Sequence, residues 1–271
     1  MMETQCVACG ETLQGQFCHR CGEKAFHRED HSFKTFLSEL VYAVTHVDSK
    51  FFKSLWLLLL KPGWLTRAYV TGKRKQYVKP LVLFVVGNVI YFFLQPLANI
   101  NTFNSTLRAQ RNWFPYSPLV RAIVDRRING DGIALTEYEK IYDAKSEHLA
   151  KTLIVLQIPL FAFFVWLLQL PSRGYYFEHL IFSTHFYAFL MFLNILGTLG
   201  VFVYFKLGGN EYDLAIPYLL ASLLYLCFSL RRVYEQKWMM TILKGILLLV
   251  SSIVVLYIYR FILFLITVYS V

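Results

Sequence analysis

Charge is scarce in this chain. Of 271 residues only 16% are Asp, Glu, Lys or Arg, where a soluble domain carries about a quarter. The apolar share is 56%, gathered in long runs, which disfavours one large soluble core and favours membrane spans. The first 32 residues lack an apolar h-region. No cleavable signal peptide is therefore expected, and the first spanning helix must serve as the insertion signal. Catalytic signatures are missing too. There is no Ser-His-Asp order, no Gly-rich phosphate loop and no His-rich metal box, so nothing assigns an enzyme. No internal repeat of the kind many transporters use is evident.

Cysteine is equally sparse, but its placement is informative. Four of the five cysteines fall in the first 21 residues, as Cys6-Val-Ala-Cys9-Gly10 and Cys18-His19-Arg20-Cys21-Gly22. A two-residue spacer lets both thiolates of a pair reach one ion, and the following glycine lets the chain turn past it. Cys6, Cys9, Cys18 and Cys21 are therefore expected to hold a structural Zn2+ in a small ribbon over residues 1–25. Two disulfides are the competing reading. Metal-bound thiolates need a reducing compartment, which places the ribbon in the cytoplasm. The fifth cysteine, Cys227, lies alone in an apolar run and reads as a small buried residue.

The expected fold is an all-α polytopic membrane protein with about five transmembrane helices, the ribbon and amphipathic interfacial helices. Residues 26–77 read as linker, interfacial helices and a basic juxtamembrane segment, and residues 78–271 as the helical bundle. Ser32 can cap a helix with Phe33, Phe36, Leu37, Leu40, Val41 and Val44 at helical spacing. A second helix from Asp48-Ser49 ends at Lys61-Pro62-Gly63, too short to span. Both are expected to lie on the membrane surface, to pack on the bundle, or to do both.

Residues 61–80 carry Lys61, Arg67, Lys73, Arg74, Lys75 and Lys79 and no acid, with Trp64, Tyr69 and Tyr77 between them. Lys73, Arg74, Lys75 and Lys79 are expected to meet anionic lipid headgroups, at about 1 kcal/mol each near the surface. A nucleic-acid patch has a similar composition, but the position between two membrane-seeking segments disfavours it. Spans are expected at about 78–97, 151–170, 177–204, 213–230 and 241–267. The basic stretches at 61–79 and 231–244 read as cytoplasmic. The N-terminus is then cytoplasmic and the C-terminus outside, and residues 99–150 form an outer loop. In that loop Asn129-Gly130-Asp131-Gly132 reads as a turn, and Thr136 with Glu139 as a capping box. A calcium loop is disfavoured there, because Tyr138 stands where the bidentate glutamate belongs.

The third span holds Glu178, His179 and His185, and ionisable groups in a membrane are functional-site candidates by default. Glu178 and His185 share a helix face but are about 10 Å apart along the axis, too far for one metal ion to join them easily. Two readings stand: a polar path or ligand site, or helix packing in which His185 bonds a neighbour such as Asn88 or Gln157. Arg260, far along the fifth span, is expected to snorkel outward.

The ribbon, Lys61-Pro-Gly, Thr71-Gly72-Lys-Arg74-Lys and Tyr176-Phe-Glu178-His179…His185 together resemble a bacterial, Bacteroidetes-type membrane protein family of unknown function, with an N-terminal zinc ribbon, transmembrane helices and a Glu-His…His motif. The resemblance implies an inner-membrane protein and supplies no reaction. The expected role is a non-enzymatic scaffold or regulator whose ribbon docks a cytosolic partner. The competing role is a transporter or membrane enzyme using Glu178, His179 and His185. Oligomeric state is not legible.

Overall fold

The computed structural model describes residues 5–6, 9–12, 15, 18–20, 22, 49–97, 103–170, 175–206 and 215–271. The linker 26–32, the helix expected from Ser32 to Val47, Cys21 and the connection 207–214 lie outside the described residues. Ten α-helices are described: α1 (Ser49–Leu60), α2 (Trp64–Val70), α3 (Pro80–Leu94), α4 (Leu107–Asn112), α5 (Ser117–Asp131), α6 (Leu135–Leu153), α7 (Gln157–Leu168), α8 (Tyr176–Lys206), α9 (Ala215–Tyr234) and α10 (Trp238–Ser270). Among the described residues there is no β-strand, only an isolated bridge between Gln5 and Thr12.

Among the described residues, five helical stretches are long and apolar enough to cross a membrane: Pro80–Leu97, Leu135–Leu168, Tyr176–Val203, Ala215–Tyr234 and Trp238–Ser270. The number agrees with the sequence, and the ends of several differ from it. The second stretch begins 16 residues before the expected Lys151, because the polar helix α6 runs into α7 through one 3-10 turn, Ile154–Leu156. Pro159 accounts for the tightened turn, since it has no N–H to give the carbonyl of Val155 and its ring crowds that carbonyl. At 31 and 33 residues, α8 and α10 are about 46 and 50 Å long. Both exceed a hydrocarbon layer of about 30 Å, so they tilt or project beyond it.

Local chemistry sets the helix ends. Pro80 opens α3, where a missing N–H costs nothing, after Lys79 in an extended conformation. At the end of α2, Gly72 adopts φ +95. Its N–H donates to Tyr69 O, and the Lys73 N–H donates to Ala68 O, which is the paired closure of a Schellman motif. The expected turn at 129–132 narrows to one residue. Asn129, Gly130 and Asp131 stay helical, and Gly132, at φ +65, caps α5. The expected capping box at Thr136 does not form. Ala134 is the N-cap of α6 and Thr136 lies inside the first turn. Packing overrides the cap signal, because Ile133 and Leu135 lie against an apolar cluster that fixes an earlier start.

The chain divides into two compact units, with the boundary passing through α7 and α10. Unit 1 holds residues 1–98 and 162–249. Its centre is α8, whose apolar window is 61% buried against 22% for α10. Helix α3 packs along α8, and close approach depends on a glycine. A Cβ added at Gly87 would lie 2.9 Å from the Met191 Cβ. Phe189 of α8 stacks on Tyr225 of α9 at 3.8 Å. A Cβ at Gly245 of α10 would lie 2.7 Å from the Cys227 Sγ of α9. Without a hydrophobic drive between helices in lipid, such small-residue contacts supply the packing. Cys227 is buried here, as its apolar surroundings imply.

Unit 2 holds residues 99–161 and 250–271. Its core is Leu107, Val120, Val124, Tyr138, Tyr142, Phe264 and Val268. Residues 107–112, 117–131 and 135–150 of the expected outer loop are helical. Asp143 accepts the Leu107 N–H at 2.7 Å and closes the start of α4 from α6. The Ser146 hydroxyl donates to Asn104 Oδ1 at 2.7 Å. Arg260 has its guanidinium over the Phe114 ring, 5.4 Å from the centroid.

Candidate functional site

The Pro62-Gly63 turn is where the structure concentrates polar contacts between distant segments. Gly63 sits at φ +75 as the N-cap of α2. A Cβ there would lie 2.8 Å from the Ser229 Cα and 2.9 Å from the Ser229 carbonyl oxygen of α9. Only glycine supplies both the left-handed conformation and the room. Arg232 of α9 donates to the Pro62 carbonyl at 2.6 Å. Arg67 of α2 reaches Glu235 at 2.6 Å and the Arg232 carbonyl at 3.4 Å. The turn is thereby clamped to the last turn of α9.

Thr66 continues this clamp into the bundle. One helical turn before Val70, its side chain is 2% exposed and its Oγ1 lies 3.0 Å from the His185 Nδ1. His185 is itself 2% exposed. The partner is therefore neither Asn88 nor Gln157, but a threonine of the basic segment. His179, six residues earlier on α8, takes a different partner. Its Nδ1 is 2.8 Å from the Tyr234 hydroxyl of α9, with the two rings stacked at 5.7 Å. The two histidines do not converge on one point. Each ties α8 to another element, α2 for His185 and α9 for His179.

Gln236 Oε1 and one ring nitrogen of His179 are among the buried atoms here that take no hydrogen-bond partner. His179 Nε2 is buried and takes no hydrogen-bond partner. If Tyr234 donates to Nδ1, Nε2 carries an unpaired N–H; if Nδ1 donates, Nε2 is an unpaired acceptor. Either state forgoes about 1–3 kcal/mol. Nearby on the same unit, Gln169 Oε1 accepts from Gln236 Nε2 at 2.6 Å and from Lys244 Nζ at 2.8 Å. Glu178, the residue before His179, lies in the first turn of α8.

The basic segment beyond Gly72 is ordered by aromatic rings. Arg74 lies over Tyr69, 5.1 Å from the centroid, and its Nε donates to the Tyr69 carbonyl at 3.3 Å. Trp64 and Tyr77 meet edge to face at 5.1 Å. Lys73 and Lys75 are exposed, and Lys79 is half-buried.

Near the N-terminus, Cys6, Cys9 and Cys18 place their sulfurs within 4.8 Å of one another, close enough to hold a metal ion. The Cys9 and Cys18 sulfurs are 3.6 Å apart. Both cysteine turns have the same form. The Gly10 N–H donates to the Cys6 carbonyl at 2.8 Å and the Gly22 N–H to the Cys18 carbonyl at 2.7 Å, with both glycines at positive φ. Cys21, the fourth expected ligand, lies outside the described residues.

A family model described as a protein of unknown function (DUF3667) matches residues 48–92. The chain is similar to that family from the start of α1 to near the end of α3, so the matched stretch contains Gly63, Thr66, Arg67 and the segment Gly72–Lys79. No curated protein and no solved structure matches the chain.

The sequence marks Lys61-Pro62-Gly63 as the end of a helix and Arg232 as part of a cytoplasmic basic stretch without linking the two, and it singles out neither Thr66 nor Tyr234. The Pro-Gly pair was the available signal: a glycine directly before a short helix marks a position where φ or space is restricted. Nothing in the sequence named α9 as the surface it approaches.

Proposed function

We propose that this chain is a multi-pass protein of the bacterial cytoplasmic membrane, with its N-terminus in the cytoplasm and its C-terminus outside, acting as a non-enzymatic scaffold or regulator. In this reading the cysteine head holds structural Zn2+ and docks a cytosolic protein partner, while the bundle anchors it. The observation that carries the reading is the use of the two histidines. His185 bonds Thr66 and His179 bonds Tyr234, so each spends a ring nitrogen on helix packing rather than facing a common substrate. Zinc fits the head. A tetrahedral thiolate shell with Zn–S near 2.3 Å has sulfur–sulfur edges of about 3.8 Å, close to the 3.6 Å between Cys9 and Cys18. Cys6, Cys9 and Cys18 would supply three ligands and Cys21 the fourth. Such a closed shell leaves no open position for chemistry, so the ion would fold the head and shape its surface. Lys73, Arg74, Lys75 and Lys79 would meet anionic headgroups beside it. Their position next to a span disfavours nucleic acid.

A second reading rests on His179 Nε2. A buried ring nitrogen without a partner, near Glu178, is what a proton path or polar ligand site of a transporter or membrane enzyme would use. Complementation of a deletion strain, with protein level measured, separates the two. Loss of function in Cys18→Ser, with Glu178→Gln, His179→Gln and His185→Gln still active, supports the scaffold. Stable but inactive Glu178→Gln and His179→Gln variants would sink it. Metal analysis of the purified chain should find about one zinc, and its absence removes the head from the proposal.

A further inference from the structure

Helix α1 has an outward face that neither the clamp nor the bundle uses. Phe51, Ser54 and Leu58 are buried, whereas Phe52, Trp56 and Leu60 are 68%, 64% and 57% exposed. At about 100° per residue, Phe52, Trp56 and Leu60 form one stripe within about 80° of arc. Leu55 and Leu59, half-buried, flank that stripe on one side. Lys53, Lys50 and Lys61, all exposed, lie between the stripe and the buried face on the other side. Around the helix the order is therefore bundle, leucine flank, aromatic and leucine stripe, lysine flank. A helix surrounded by water would carry polar residues where the stripe stands.

The depth of α1 is set by its contacts. The Val78 N–H donates to Ser54 Oγ at 3.0 Å, two residues before the first span opens at Pro80. Lys53 Nζ lies 5.3 Å from the centre of the Tyr77 ring. The helix is thus pinned beside the point at which the chain enters the membrane.

We propose that α1 lies in the plane of an anionic leaflet, with Phe52, Trp56 and Leu60 at the boundary of the acyl chains and Lys50, Lys53 and Lys61 at lipid phosphates. This deepens the membrane reading above and rests on it, though not on the scaffold role. Three features favour lipid over a protein partner. The flank carries three lysines and no acid around a half-buried Leu57, the stripe is pinned to a span, and a tryptophan is at its centre, as interfacial helices prefer. The lysines add to the headgroup attraction of residues 73–79 from a different helix.

The test uses the full-length protein in phosphatidylcholine–phosphatidylglycerol vesicles. Phe replaces Trp56 in a control variant, and the difference between wild type and Trp56→Phe isolates the Trp56 emission. The expected result is quenching by lipid brominated high on the acyl chain and no quenching by aqueous iodide. Bromine on phosphatidylglycerol should quench more than bromine on phosphatidylcholine at low salt. Lys53→Gln should weaken that preference by up to about fivefold, and salt should do the same. Quenching by iodide alone would overturn the proposal by placing the face in water. Protection from both quenchers would overturn it by showing that protein covers the face, either residues 33–47 or a second copy. Both Trp56→Phe and Lys53→Gln alter exposed side chains, so folding should survive. Failure here would leave the zinc and complementation results untouched.

Discussion

Replacing Gly63 by alanine should damage the clamp in two separable ways. The first is conformational: an L residue held at φ +75 costs about 1–2 kcal/mol. The second is steric. The new methyl would meet the Ser229 Cα at 2.8 Å and its carbonyl oxygen at 2.9 Å. These are backbone atoms inside α9, so relief requires moving one helix against another, at about 1–3 kcal/mol. The total is roughly 2–5 kcal/mol. Two further glycines resolve the terms. Gly132→Ala carries the conformational cost alone, because φ is +65 and nothing lies within 4 Å of the added carbon. Gly87→Ala carries the steric cost, with the Met191 Cβ at 2.9 Å, offset by the gain of about 0.5–1 kcal/mol that Ala brings inside a helix. Equilibrium unfolding of the purified protein in mixed micelles, followed by helical ellipticity, measures all three. The expected order of loss has Gly63→Ala largest. If Gly63→Ala costs no more than Gly132→Ala, the close approach to Ser229 is wrong and the clamp fails with it.

Two further outcomes follow from the same geometry. Thr66→Val keeps the shape of the side chain but strands the His185 Nδ1, and should cost about 0.6–1.7 kcal/mol in the same unfolding measurement, the range of hydrogen bonds between membrane helices; no loss would mean the Thr66–His185 contact is not formed. Arg67→Ala removes an ion pair with both partners exposed, at 52% and 67%, and should change stability by under about 1 kcal/mol, whereas Arg232→Ala leaves the Pro62 carbonyl without its charged donor and should cost more.

Much of the fold was legible because membranes restrict the alternatives. A spanning segment must satisfy its backbone internally, so long apolar runs had to be helices, and five were found at nearly the expected places. Where polar and apolar helix merge, the reading faltered. The capping-box signal at Thr136 falls two residues from the N-cap, Ala134, but nothing in the composition marks that the 3-10 turn at Ile154–Leu156 lets α6 flow into α7. The paired cysteine turns were legible from spacing alone, since the turn that follows Cys6 and Cys18 is a local matter of one glycine each.

By itself the sequence determined what neighbouring residues dictate: the number of spans, the cysteine turns, the breaks at Pro62-Gly63 and Gly72, and the basic stretch before Pro80. Only the tertiary structure decided what those breaks are for. Thr66 and His185 are 119 residues apart, as are few pairs that a pattern could link. Their meeting depends on how closely α2 approaches α8 and α9, which depends in turn on the missing side chain of Gly63. Periodicity reports which face of a helix is apolar, but not which helix that face will meet. In a bundle where nearly every face is apolar, the choice falls to a few small residues and buried hydrogen bonds, and these act only once the helices are packed.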